Sequence, residues 1–120
     1  VSADVNLLGR KIRLNERDIE KHLVKRVKAL GGEVRKVQWI GRRGAPDRLV
    51  MLPFRAREKC VPGYNDFTVE RRAAATVWVE LKAPGVKPAA HQLREHERMR
   101  KMGQRVVVID SVEGVEELLR

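Results

Sequence analysis

Cysteine is nearly absent from this 120-residue chain, with Cys60 alone. That excludes a disulfide framework and a thiolate zinc centre, and a lone thiol fits a reducing cytoplasm. Aromatic residues are scarce, at two Trp, one Tyr and two Phe. Trp39 and Trp78 are therefore expected in the core or at an interface, not as base-stacking platforms. No apolar run approaches the ~18 residues of a membrane span, and the first residues lack a signal-peptide pattern. Acidic residues are also in short supply, 16 against 26 Lys and Arg, for a formal charge of +10. The imbalance is local: residues 1–60 hold 16 basic and 7 acidic residues, whereas residues 61–120 hold 10 and 9. A field of this size and sign favours a polyanion, and nucleic acid is the commonest one.

The length suits one domain with a real core. Residues 1–14 lack periodicity and read as an N-terminal arm. Asn15 can cap a helix over 16–30, where Ile19, Leu23, Val27 and Leu30 form an apolar stripe before Gly31-Gly32. Strands are expected over 33–40 and 48–52, joined by the basic, glycine-rich turn Gly41-Arg42-Arg43-Gly44-Ala45-Pro46. Residues 53–75, with turn signals at Pro62-Gly63 and Asn65-Asp66, read as a long connection or hairpin extension. A third strand follows over 76–83 and a helix over 88–102. The run Val106-Val107-Val108-Ile109 suits a central or parallel strand, and a last helix spans 112–119. The order is α-β-β-β-α-β-α, with a parallel β-α-β step.

Chemistry concentrates in Gly44-Ala45-Pro46-Asp47 and Val79-Glu80-Leu81-Lys82. Alternation along a strand points Trp78, Glu80 and Lys82 one way, and Val77, Val79 and Leu81 toward a core. An acid and a base on one face of an apolar strand are costly to bury without a partner. Asp47 with Glu80 offers oxygen ligands of the kind Mg2+ accepts. Taken singly, Asp47 is a turn aspartate, and Glu80 with Lys82 an exposed ion pair worth under ~1 kcal/mol. Their ordered combination, with suitable strands and helices between, favours a catalytic set.

These residues, with Gln92 opening the following helix and Gly103 closing it, resemble the PD-(D/E)xK nuclease superfamily and, within it, the VRR-NUC family. The resemblance runs from about Arg17 to Glu113. It implies a single restriction-endonuclease-like α/β core over 15–120, a mixed central sheet flanked by helices, with 53–75 as an insertion between core strands. It further implies a divalent-metal-dependent DNA endonuclease using Mg2+, with Mn2+ as substitute. Asp47, Glu80 and the Leu81 backbone carbonyl would be ligands, and Lys82 would orient the nucleophile. In archaeal-type Holliday-junction resolvases a helix glutamate stands in the place of Glu20 and completes the metal site, in part through water. Glu16 is the rival carboxylate. Gln92 matches a glutamine that contacts substrate or supports the lysine, but His96 stands where a tyrosine is usual. Arg42, Arg43, Arg48 and Lys87 are the candidate DNA contacts.

Stand-alone members of this family are small, often phage-encoded, and act on branched DNA. The expected partner is thus a branched DNA such as a Holliday junction. Its two-fold symmetry calls for a homodimer, acting in the host cytoplasm if the protein is phage-encoded. The alternatives are a sequence-specific restriction-like endonuclease, a catalytically inactive basic DNA-binding module and a basic protein-interaction domain.

Overall fold

The computed structural model describes residues 13–60 and 67–120. Most of the N-terminal arm and both turn signals at 62–66 lie outside them. Helix α1 (Glu16–Ala29) starts at a reciprocal cap. The Asp18 amide donates to Asn15 Oδ1 at 2.9 Å and the Asn15 amide to Asp18 Oδ2 at 3.0 Å, which satisfies two amides that a helix start leaves open. Its stripe of Ile19, Leu23 and Val27 is fully buried. Strands β1 (Glu33–Lys36) and β2 (Arg48–Leu52) follow, then β3 (Arg55–Cys60), β4 (Phe67–Arg72) and β5 (Ala75–Leu81). Helix α2 (Ala90–Lys101), strand β6 (Val106–Ile109) and helix α3 (Val112–Leu119) complete the chain.

The main sheet runs β1-β2-β5-β6, antiparallel across the first two pairings and parallel between β5 and β6. This is the mixed α/β sheet expected from the sequence. Val50, Val77, Val79, Leu81 and Ile109 face α1 and α3 and form the core with Ile19, Leu23, Val115 and Leu119. Adjacent strand residues point to opposite faces, so Trp78 and Glu80 lie on the other side, which α2 covers.

One local expectation changes and one open reading resolves. The strand expected over 33–40 stops at Lys36, because the chain then turns to frame residue 47. The Val37 amide donates to the Asp47 carbonyl at 2.8 Å, and Trp39 Nε1 donates to the Pro46 carbonyl at 2.8 Å. Within 53–75, β3 and β4 pair antiparallel as a separate two-stranded sheet. Among the described residues, no helix is long and apolar enough to cross a membrane.

Candidate active site

The register between β2 and β5 builds the centre. Arg48 pairs with Val79, so one further step along the two strands sets Asp47 across from Glu80. Directly opposed residues share a face with Cβ atoms about 5 Å apart. Pro46 is fully buried, and the two hydrogen bonds just described hold both carbonyls that bracket Asp47 into the fold.

Gly44 allows the preceding turn to press on α2. Its φ is +86°, and a Cβ there would lie 2.8 Å from the His91 carbonyl oxygen. Only glycine meets both conditions.

Glu80 is 8% exposed. Burial pushes its carboxyl up to about 7; Lys82 works against the shift, Asp47 and Glu16 add to it, and Arg48 opposes it. Gln92 fixes the carboxylate: its Nε2 donates to Glu80 Oε1 at 3.2 Å while its own Oε1 accepts from the Ala89 amide at 2.8 Å. The glutamine therefore caps α2 and orients Glu80 in one gesture. Lys82 is half-buried just beyond β5, held by its amide's 2.9 Å bond to the Ile109 carbonyl.

Arg48 has a setting unlike the open DNA contact expected of it. Its side chain is 12% exposed and bridges two acids, with Nη2 at 2.8 Å from Glu20 Oε2 and Nη1 at 3.1 Å from Asp47 Oδ2. Burial alone would favour a neutral guanidine, but the two carboxylates outweigh it and hold Arg48 charged. Glu20 is thereby committed to Arg48, whereas Glu16, one turn earlier, is the helix carboxylate whose charge reaches Glu80.

The site thus sets a buried acid opposite a second acid, with a lysine two residues further along the chain. The chain is 42% identical over 98 residues to the protein named "Putative nuclease p44" of Acyrthosiphon pisum secondary endosymbiont phage 1, covering 82% of this chain and 85% of that one. It is 40% identical to a solved structure described as a VRR-NUC domain, with a TM-score of 0.64 and coverage of 87% of this chain and 92% of the other. The chain belongs to the VRR-NUC family of nucleases. No protein-family model matches it.

Around this candidate centre of the VRR-NUC chain, Arg43 and Lys87 are exposed, whereas Arg42 leans toward α2, 3.6 Å from the buried Glu95. Arg98 holds the other carboxylate oxygen of Glu95 at 2.9 Å. His96, which stands where a tyrosine is usual, is fully buried; neither ring nitrogen has a hydrogen-bond partner, and Nε2 lies 3.6 Å from Glu80 Oε1. That distance exceeds a hydrogen bond. Burial, then Arg100 and Lys82, lower its pKa against the pull of Glu95, so the ring is neutral behind Glu80. A signal was present in the sequence: Gln92, His96 and Met99 recur at helical spacing, which puts all three on the sheet-facing side of α2.

The donor set suits a divalent cation. Among the described residues no three His, Cys, Asp or Glu side chains gather into a ready cage. Two carboxylates and a carbonyl, with water and phosphate completing the shell, are what Mg2+ prefers. A cation there would relieve the buried, partly protonated Glu80.

Proposed function

We propose that this VRR-NUC nuclease is a divalent-metal-dependent, structure-selective DNA endonuclease that hydrolyses phosphodiesters in branched DNA as a homodimer. The observation that carries the reading is Glu80, a carboxyl pushed to about 7 by burial and held by Gln92 opposite Asp47. An enzyme gains nothing in stability from such a group, so its value lies in what it binds.

Asp47, Glu80 and the Leu81 carbonyl would hold Mg2+ or Mn2+. When bound, the ion supplies Lewis acidity, polarising the phosphoryl oxygen and making water a better nucleophile. Lys82 orients that nucleophile and offsets the negative charge that builds on phosphorus. Gln92 keeps the Glu80 oxygens aimed, and Arg48 restrains Asp47 through Oδ2. Arg43 and Lys87 are exposed close in sequence to Asp47 and Lys82 and would take backbone phosphates, contacts that position a substrate without reading its sequence.

The test is cleavage of labelled four-way junction, flap, linear duplex and single strand, with Mg2+, with Mn2+ and with chelator. Paired symmetric nicks in the junction, absent with chelator and in Asp47→Ala and Lys82→Ala, are the expected result, with a dimer in light scattering. Binding to the panel without cleavage under either metal would refute the enzyme reading.

A further inference from the structure

Two adjoining concavities lie away from the catalytic residues, at the other end of the sheet. One, of about 550 Å3, is lined by Arg26, Arg55, Arg72 and Arg120 with a single acid, Glu70. The next, of about 460 Å3, shares Arg55, Arg72 and Arg120, adds Arg105, and carries a single acid, Glu117. Five arginines thus converge where β2 ends and β5 begins. Two have their own carboxylates: Arg26 sits 2.9 Å from Glu116 and Arg120 sits 3.2 Å from Glu117. Arg55, Arg72 and Arg105 pair with no carboxylate among the described residues.

The hairpin forces part of this crowding. Arg55 lies directly across from Arg72 in the β3–β4 register, and like charges in that relation repel. Arg55 also has a buried Nε with no hydrogen-bond partner, a donor that ordinarily finds an acceptor. Residues Ala73, Ala74 and Ala75 line the second concavity, and their small side chains keep it open. An oxyanion placed there would answer both the repulsion and the orphaned donor, and guanidinium forks match phosphate geometry.

We infer that this arginine cleft is a second binding site for the phosphodiester backbone of DNA, separate from the catalytic centre and built by the β3–β4 hairpin. The ligand class rests on the DNA-endonuclease reading above. Five residue steps separate Asp47 from Leu52, a residue that lines the cleft, or roughly 16 Å along β2. Backbone bound there therefore lies well beyond the scissile phosphate, in a flanking stretch or a neighbouring arm. The hairpin and Arg72 accordingly belong to substrate binding rather than to inert surface.

The test is fluorescence-anisotropy binding of the full chain to four-way junction DNA, in chelator, across a salt series. Three proteins are compared: wild type, Arg72→Gln/Arg105→Gln, and a charge-matched control, Lys25→Gln/Lys101→Gln. All four substituted residues are exposed, so folding should survive, and thermal melts check it. Losing two phosphate contacts should weaken binding roughly tenfold and reduce the slope of log K against log salt by about 2. The control should move each far less. Adding Arg55→Gln should weaken binding again. Equal effects from both pairs, or none from the cleft pair, would overturn the inference even if the wild type cleaves the junction. Conversely, a wild type that binds through the cleft without cleaving in Mg2+ would sink the nuclease reading alone. No DNA binding by the wild type would overturn both.

Discussion

Replacing Glu80 by glutamine should make the metal-free protein more stable at pH 8 while abolishing cleavage. The folded protein holds this carboxyl at about 7, against an ordinary 4.5. Between those values the folded state binds a proton that the unfolded chain has released. Stability therefore falls as pH rises from about 4.5 to 7 and is flat above it. At ~1.4 kcal/mol per pH unit, the full cost of keeping Glu80 ionised is about 3 kcal/mol. Glutamine has the same shape and carries no charge to desolvate. Allowing for imperfect hydrogen bonding of the new amide against Gln92, a gain of about 1–2 kcal/mol at pH 8 is expected, or several degrees in Tm for a domain of this size. At pH 4.5 the wild-type carboxyl is protonated in the fold and the gain should vanish. Calorimetric melts of both proteins at pH 4.5, 6 and 8 in chelator provide the assay. A variant no more stable than wild type at pH 8, or one whose gain persists at pH 4.5, would refute the reasoning. Mg2+ should raise the wild-type Tm at pH 8 and leave the variant nearly unmoved, since ligands stabilise only the form that binds them.

Gln92→Ala removes the donor that aims Glu80, and should lower kcat or Mg2+ affinity about 10–100-fold, measured by single-turnover cleavage and by titration calorimetry. Gly44→Ala should cost about 2 kcal/mol or more, because a left-handed φ and a 2.8 Å approach to the His91 carbonyl coincide; denaturant melts report it. Arg48→Met should cost about 1–3 kcal/mol by leaving Glu20 and Asp47 without their shared cation, a range set below that of a fully buried pair because both acids are partly exposed. Adding Glu20→Leu should recover part of that loss, and a double-mutant cycle in denaturant measures the coupling.

Much of this architecture was readable where one physical rule governed one segment. The α1 stripe followed from helical spacing, and β5 from an alternation that sends Val77 and Val79 inward and Glu80 to the opposite face. The stretch from Val37 to Ile40 was not readable, because its residues satisfy a strand pattern while the Val37 amide donates to the Asp47 carbonyl and the Trp39 indole to that of Pro46, both from farther along. The β3–β4 hairpin is rich in charge rather than apolar alternation, so the sequence shows turns without showing strands. Arg48 is the instructive case. It alternates with Val50 and Leu52, both core residues, so its place on the buried face was available from periodicity alone. Its charge and its position in an arginine-rich stretch pointed to DNA instead. The choice between Glu20 and Glu16 depended on that same arginine, and only three-dimensional pairing ties Glu20 to it.

Arg48 also explains how one end of a small sheet can gather so many acids. Asp47, Glu80, Glu16 and Glu20 approach the same strand ends, and repulsion among them would otherwise spread α1 away from β2. A guanidinium between Glu20 and Asp47 fastens the helix to the strand and cancels part of that charge on the core side. On the α2 side no equivalent side chain among the described residues is positioned to do so. Lys82 lowers the cost of Glu80 without removing it, and Gln92 and the neutral His96 contribute dipoles rather than charge. The electrostatic deficit is therefore confined to the face where Asp47 and Glu80 oppose each other. A divalent cation would be drawn to that face, and Arg48 would keep the opposite side closed to it.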